Sequence, residues 1–154
     1  MRIACGFDHA GVPLLERALQ ALRDAGHEPI DYGMTDDYPD IALTIARAVL
    51  EGEVERGVLI CGSGAGVAVA ACKVPGIRAA VAHDTYTAAQ CVEHDDCNIL
   101  CLGARVVGPE LAASLLVAFA GASFSGAERH VRRLAKILAM ERDGLDADLS
   151  AVTG

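Results

Sequence analysis

Residues 57–67 read Gly57-Val58-Leu59-Ile60-Cys61-Gly62-Ser63-Gly64-Ala65-Gly66-Val67, an apolar run that ends at a cysteine and continues with a glycine at every second position. The run from Val58 to Ile60 is typical of a buried strand, and residues 68–73 favour a helix. Cys61 therefore lies at the carboxyl end of a strand, where open α/β sheets bind ligands. Glycines permit a tight turn whose N–H groups, with the start of the next helix, can face an anion.

The same stretch also fits a simpler interpretation, a glycine-rich strand-to-helix turn that carries a buried cysteine. Two nucleotide-binding signatures fail here. The dinucleotide fingerprint needs a glycine where Val67 stands, and no Gly-Lys-Ser or Gly-Lys-Thr follows as in a P-loop. An anion-binding loop beside a thiol and a plain structural turn both remain open on this motif alone.

The composition indicates one globular domain that does not bind polyanions. The chain has 154 residues, of which 53% are hydrophobic, which excludes disorder. No apolar run reaches transmembrane length and no signal segment opens the chain, so we expect a cytoplasmic protein without a membrane partner. The net charge of −8 and the 4% aromatic content argue against nucleic acid. Any phosphate must then be held by a few local arginines.

The six cysteines predict reduced thiols of a cytosolic protein. None forms a Cys-x-x-Cys pair, and Cys97 and Cys101 have no histidine at ligand spacing, so no metal site is expected. We expect five of the six to be packing residues. Cys61 differs because it lies beside the glycine loop.

Apolar runs alternate with amphipathic stretches along the chain. Strands are predicted at 3–7, 28–32, 57–61, 78–82 and 98–102, and helices at 12–25, 40–51, 66–73, 85–93, 109–120 and 127–142. This order predicts the α/β class, a single-domain Rossmann-like three-layer sandwich with a five-stranded parallel sheet and a C-terminal helix extension. The domain is expected over residues 1–142, with a flexible tail at 143–154.

Polar residues collect where the predicted strands end, which indicates one crevice at the carboxyl edge of the sheet. These ends are Phe7-Asp8-His9, Cys61-Gly62-Ser63, His83-Asp84 and Gly103-Ala104-Arg105. Asp8 and His9 can hydrogen-bond sugar hydroxyls or steady a ring oxygen. Asp8 can equally well cap the next helix, and the sequence leaves the two roles open.

Two further groups come from predicted helix ends and faces. His94 closes a helix beside two acidic residues, which suits a general acid, although a solvated helix-end histidine fits equally. Arg129 and Arg133 lie four residues apart, so they share a helix face and can pair on a phosphate, or can simply be solvated. Arg105, at the end of the fifth strand, is a further phosphate candidate.

Taken together, these segments make the chain resemble the ribose-5-phosphate isomerase B family, which includes the galactose-6-phosphate isomerase subunits. The resemblance runs from Arg2 to Ile137 and is carried by Asp8-His9-Ala10-Gly11, Asp37-Tyr38-Pro39, residues 60–66, residues 73–79, His83-Asp84-Thr85-Tyr86, residues 102–108 and Arg129-His130. It implies reversible interconversion of ribose 5-phosphate and ribulose 5-phosphate, without a metal or organic cofactor. Alternatives are an isomerase of another sugar phosphate (galactose, allose or tetrose phosphate) and a non-catalytic sugar-phosphate-binding homologue.

The resemblance also implies a role for each matching residue. Cys61 would move the proton through an enediolate, and His94, helped by Asp8, would open the sugar ring. Ser63 would orient or activate the thiol. The loop of Gly62, Ser63, Gly64, Ala65 and Gly66 would hold the enediolate oxygens, and His9, Arg105, Arg129 and Arg133 would contact the phosphate. The family's sites lie between subunits, so the resemblance implies a homodimer or a dimer of dimers with shared active sites.

Three positions depart from the family's pattern. Some members have a carboxylate where Val67 stands, which leaves Cys61 as the candidate base. Asp95, at a substrate-binding position, and Cys72 both replace an asparagine that is usual in the family. An ionised carboxylate cannot donate a hydrogen bond, so the sugar contact at Asp95 is expected to differ. We expect both changes to adjust the site rather than to abolish isomerisation.

Overall fold

A computed structural model that describes residues 1–152 has five parallel strands between two layers of helices. The strands are β1 (Arg2–Asp8), β2 (Glu28–Thr35), β3 (Arg56–Cys61), β4 (Ala79–Val81) and β5 (Ile99–Gly103), in the order β2-β1-β3-β5-β4. The helices are α1 (Leu15–Asp24), α2 (Tyr38–Leu50), α3 (Ala65–Ala71), α4 (Thr85–Asp95), α5 (Pro109–Gly121) and α6 (Glu128–Asp143). The predicted fold class is confirmed.

Each face of the sheet has its own hydrophobic core. Helices α1, α4 and α5 pack together on one face, and α2 and α3 pack together on the other. The central strands are buried on both sides, as their unbroken apolar runs require, and Val58, Leu59 and Ile60 have no exposed surface. The edge strands β2 and β4 are only half-buried.

The observed elements differ from the predicted ones mainly at their ends. The predicted helix 12–25 begins as a short 3-10 turn at Val12–Leu14, where Pro13 supplies no N–H, and α1 proper starts at Leu15. Ala25, the last residue of the predicted helix, is exposed because α1 has already ended. Gly26 follows with φ of +81°, the left-handed conformation typical of a glycine that ends a helix.

The loops after β1 and β3 leave the sheet toward opposite faces, which opens a crevice between two neighbouring strands. Glycines allow these loops to approach each other closely. A Cβ at Gly11 would lie 2.0 Å from the carbonyl oxygen of Ile60, and one at Gly103 would lie 2.7 Å from the backbone of Ser63. The ends of β1, β3 and β5 are thereby packed into one rigid rim.

Helix α6 packs against α4 at the end of the described chain and leaves much of its surface uncovered. Val131, Ile137, Leu138 and Met140 are all exposed apolar residues of α6. A 3-10 turn at Gly144–Asp146 follows. The flexibility predicted for 143–154 stays a prediction, and its last two residues lie outside the described part. No helix within residues 1–152 is both long and apolar enough to span a bilayer.

Candidate active site

A cleft of about 410 Å³ opens at the carboxyl edge of the sheet, where β1, β3 and β5 end. Seven of the predicted site residues line it: Asp8, His9, Cys61, Gly62, Ser63, Gly66 and Arg105. Ala10, Tyr38 and Val106 complete the lining. One wall therefore carries a carboxylate and an imidazole, the floor carries a thiol, and the opposite wall carries a guanidinium group.

Cys61 lies at the base of this cleft as the last residue of β3, with 4% of its surface exposed. The backbone N–H of Gly64 donates to its Sγ atom across 3.1 Å. Gly64 can aim its N–H at the sulfur because it adopts a φ of +81°, a conformation that other residues rarely adopt. The sulfur therefore faces the loop amides that were predicted to hold an anion.

The Gly64 N–H is therefore hydrogen-bonded to the sulfur and is not available to a substrate oxygen as long as it donates to the thiol. Helix α3 begins at Ala65, and the first N–H groups of a helix have no carbonyl partner within it. Gly66, in this first turn, lines the cleft. Ala65 itself is exposed and its N–H donates to the Ser63 hydroxyl at 3.3 Å, so it and Gly64 do not line the cleft.

Asp8 shapes the loop after β1 as well as lining the cleft. Its Oδ1 atom accepts hydrogen bonds from the backbone N–H groups of Ala10, at 2.8 Å, and Gly11, at 2.9 Å. The carboxylate is 6% exposed. It organises a turn rather than capping α1, which begins at Leu15, and the turn holds the adjacent His9 at the cleft.

Tyr38 is a cleft residue that the sequence analysis did not select. A Cβ on Gly66 would lie 3.1 Å from the Tyr38 ring, so the ring lies directly on the glycine loop. The tyrosine is the first residue of α2 and is 43% exposed. A position just before a proline is typical of a helix start, but nothing in that pattern shows which loop the ring packs on.

Besides Gly64 and Ala65, four predicted site residues lie outside the cleft. His94 is in the last turn of α4, and its ring lies against that of His130, with centroids 4.0 Å apart and an interplanar angle of 33°. Arg129 donates from Nε to Nε2 of His130 at 3.0 Å. Arg133 is exposed one turn further along α6. Asp95 lines a different groove, of about 490 Å³, between α6 and the segment before β4.

These four residues and the cleft lie at opposite edges of the sheet. Helix α4 starts after the carboxyl end of β4 and ends just before the amino end of β5, so His94 lies near the amino edge. Cys61 pairs with Gly103, at the carboxyl end of β5. A five-residue strand spans roughly 16 Å, so one copy of the chain does not bring His94 to its own Cys61.

The predictions for His83, Asp84 and the cysteines met different outcomes. His83 accepts from the Gly103 N–H at 3.2 Å and does not line the cleft, while Asp84 caps α4 by accepting from the Thr87 N–H at 2.7 Å. All six cysteines are free thiols. The prediction of five packing cysteines is wrong for Cys72, which is exposed because it caps the outward end of α3. Within residues 1–152 no group of three or more His, Cys, Asp or Glu side chains is arranged so that it could hold a metal ion.

The chain belongs to the Ribose/Galactose Isomerase family, whose sequence profile matches residues 3–137. It is 43% identical to ribose-5-phosphate isomerase B of Escherichia coli (strain K12), over 92% of this chain and 97% of the relative. It is 40% identical to D-erythrulose-4-phosphate isomerase of Pectobacterium atrosepticum, over 82% and 86%. The solved structure of ribose-5-phosphate isomerase B of Clostridium thermocellum superposes with a TM-score of 0.87 at 45% identity, covering 92% of this chain and 98% of that one.

Proposed function

We propose that this chain is an aldose–ketose isomerase that interconverts ribose 5-phosphate and ribulose 5-phosphate. The observation that carries the proposal is the Cys61 sulfur, 3.1 Å from the Gly64 N–H at the floor of a cleft that also contains His9 and Arg105. A base and an anion-stabilising loop lie together there. Isomerisation needs both, because a C–H beside a carbonyl is only weakly acidic.

In the proposed reaction Cys61, as its thiolate, takes the proton from C2 of the open-chain aldose. The electrons of that C–H bond form the C1–C2 double bond, and the carbonyl oxygen becomes an enediolate oxygen. The amides at the start of α3 stabilise this charge without reorganising. A proton then passes from the C2 hydroxyl to the C1 oxygen, which shifts the negative charge to O2. Return of the abstracted proton to C1, as the C2 carbonyl forms, gives the ketose. The Ser63 hydroxyl, two residues along, orients the thiol or a sugar oxygen.

Binding the phosphate and protonating the ring oxygen require more side chains than one cleft contains. His9 and Arg105 are the phosphate-binding candidates in this cleft. The other candidates, His94, Asp95, Arg129 and Arg133, lie at the opposite edge of the sheet. We infer a homodimer, or two such dimers, in which each copy completes the other's cleft with these four residues. The exposed apolar face of α6 supplies surface for that contact.

Substrate length is the less constrained part of the proposal. One relative is named for ribose 5-phosphate and another for D-erythrulose 4-phosphate, at similar identity. Discriminating one more or one fewer carbon is worth only about 1–3 kcal/mol in a pocket, so few residues decide it. A tetrose phosphate is therefore the second candidate substrate. The unpaired thiols suit the reducing cytoplasm, where we place the protein.

The decisive experiment compares Cys61→Ala with Cys72→Ala on aldose phosphates of four, five and six carbons. Both variants remove one sulfur, but Cys72 is an exposed residue outside the cleft. We expect Cys61→Ala to lose turnover and still bind the five-carbon substrate, with Cys72→Ala close to wild type. Normal turnover in Cys61→Ala, or no turnover of any substrate by the wild type, contradicts the proposal.

Mixing two inactive variants tests the shared site. Cys61→Ala and His94→Asn each damage a different half of the proposed composite, so a heterodimer has one intact site and one doubly damaged site. With free exchange of copies, we expect about a quarter of wild-type activity in an equal mixture. Activity that stays at the level of the separate variants means that the halves do not combine across copies.

A further inference from the structure

His130 is a buried polar side chain of α6 that the proposed reaction leaves without a role. It is 2% exposed, although its neighbours on α6 are mostly open to solvent. Both of its ring nitrogens are hydrogen-bonded: Nδ1 lies 2.6 Å from the Ser125 hydroxyl, and Nε2 lies 3.0 Å from Nε of Arg129. Its face contacts the His94 ring. One side chain thus touches two candidate functional residues.

The hydrogen-bond partners determine where the proton of His130 lies. A guanidinium Nε–H can only donate, so Nε2 of His130 must accept and carries no hydrogen. The proton of the neutral ring is then on Nδ1, which donates to the Ser125 oxygen. That oxygen also accepts from the Ala127 N–H at 3.2 Å, which fixes its position at the start of α6.

The contact leaves Arg129 free to bind an anion. Only its Nε–H is used by His130, so the two terminal nitrogens keep four N–H donors. An exposed arginine otherwise loses rotamer freedom when it binds, which weakens binding. Holding the guanidinium by Nε before the phosphate arrives avoids part of that loss.

We propose that His130 is a positioning residue: its neutral ring, protonated on Nδ1 by way of Ser125, orients Arg129 for the substrate phosphate and supports the ring of His94. This inference rests on the proposed function, because it gives Arg129 and His94 the roles named there. His130 itself touches no substrate.

The surroundings of His130 keep the ring neutral. Burial lowers its pKa most, and the cationic neighbours His94, Arg129 and Arg133 lower it further. Asp95, on α4, acts in the opposite direction. Since the folded-state pKa lies below the ordinary value, the ring protonates at a lower pH than an ordinary solvent-exposed histidine does. Protonation then places a hydrogen on Nε2, which opposes the Arg129 Nε–H.

The tautomer can be observed directly by ¹⁵N NMR of the intact enzyme without substrate. We expect His130 to show a protonated, pyrrole-like Nδ1 and a bare, pyridine-like Nε2 at neutral pH. In Ser125→Ala the Nδ1–H loses its acceptor while the Arg129 Nε–H still requires a bare Nε2, so the Nε2-protonated tautomer should appear as a minor population. A wild-type ring protonated on Nε2, or on both nitrogens at neutral pH, overturns the proposal whatever the enzyme's activity.

Two conservative variants separate positioning from general structural damage. Glutamine places an acceptor where Nε2 was, whereas asparagine reaches only the position of Nδ1. His130→Gln should therefore keep KM near wild type, and His130→Asn should raise KM about tenfold, as expected for a lost charge-assisted hydrogen bond. Both variants lose the ring beside His94, so their kcat values should fall together. Equal KM values in the two variants overturn the role through Arg129.

A double-mutant cycle with Arg129→Met completes the test. If His130 acts through Arg129, His130→Asn changes KM in the wild-type background and leaves it unchanged in Arg129→Met. An equal effect in both backgrounds overturns the inference. If Arg129→Met alone leaves KM unchanged, the phosphate role of Arg129 is wrong and the inference is wrong with it. If Arg129→Met raises KM but His130 is protonated on Nε2, only the role of His130 is wrong and the proposed function stands.

Discussion

Replacing Gly64 by alanine should uncouple the Cys61 sulfur from its amide donor. Gly64 has a φ of +81°, and its N–H is the donor to Sγ. An added Cβ would lie 3.1 Å from the carbonyl carbon of Leu102 and 3.3 Å from the backbone nitrogen of Gly103. These are backbone atoms of the neighbouring strand, which cannot move aside as a side-chain tip can. The loop must shift instead, and the amide moves with it.

Gly33 provides a matched control for this substitution. It has a φ of +82°, but its Cβ would meet nothing within 4 Å, on the edge strand β2. The left-handed conformation costs an alanine about 1–2 kcal/mol, partly offset by about 0.4–1 kcal/mol from a stiffer unfolded chain. We expect Gly33→Ala to lose about 1 kcal/mol and Gly64→Ala about 2–3 kcal/mol, the difference being the steric conflict with β5.

Thermal unfolding and steady-state kinetics measure the two consequences. At about 2–4 °C per kcal/mol for a domain of this size, the melting temperature should fall by about 2–4 °C in Gly33→Ala and about 4–12 °C in Gly64→Ala. Turnover, assayed well below both transitions, should drop at least about tenfold in Gly64→Ala alone, the effect of one lost oriented donor. Equal melting temperatures, or full turnover in Gly64→Ala, would refute the reasoning.

Three other substitutions test separate parts of the structure. Arg105→Met should raise KM and the inhibition constant of inorganic phosphate about tenfold each, with less change in kcat, since it removes a guanidinium group from the cleft. Unchanged inhibition by phosphate would contradict a phosphate-binding role for Arg105. Arg56→Met should lower the free energy of unfolding, measured by urea titration, by about 2 kcal/mol. The guanidinium group donates to the carbonyl oxygens of Phe119 and Ala122 at the end of α5, and these bonds would be lost. A free energy of unfolding within error of wild type would contradict this. Hydrogen bonds from Thr87 hold the pKa of Asp84 below its ordinary value. The difference in free energy of unfolding between wild type and Asp84→Ala should therefore be full above the ordinary carboxyl pKa and should vanish as pH falls through the lowered pKa. A difference that does not depend on pH would show that the charge of Asp84 is not involved.

The sequence predicts the sheet and the cleft because local patterns determine both. Unbroken apolar runs such as Val58–Ile60 are typical of central parallel strands. Polar residues at the carboxyl ends of such strands lie together at one edge of the sheet. The strand predicted at 78–82 is shorter, Ala79–Val81, and the strand predicted at 28–32 extends to Thr35, since the bounds of edge strands are set by pairing with a neighbour rather than by their own composition.

Contacts between distant elements are the part that the sequence could not supply. His130 follows Arg129 in the chain, and its burial depends on how α6 crosses α4, which the sequence does not show. Tyr38 packs on Gly66, which is 28 positions away in the chain. The separation of His94 from Cys61 follows from the direction of α4, which becomes clear only once the strand order is known.

Hydrogen exchange at the substrate carbon tests the role of Cys61 most directly. Ribose 5-phosphate is incubated with enzyme in deuterium oxide, and proton NMR follows loss of the C2 proton and gain of deuterium in either sugar. We predict that wild type and Cys72→Ala exchange or isomerise the substrate, while Cys61→Ala binds it and leaves its C2 proton in place. A C2 proton that is lost at the wild-type rate in Cys61→Ala would contradict the account.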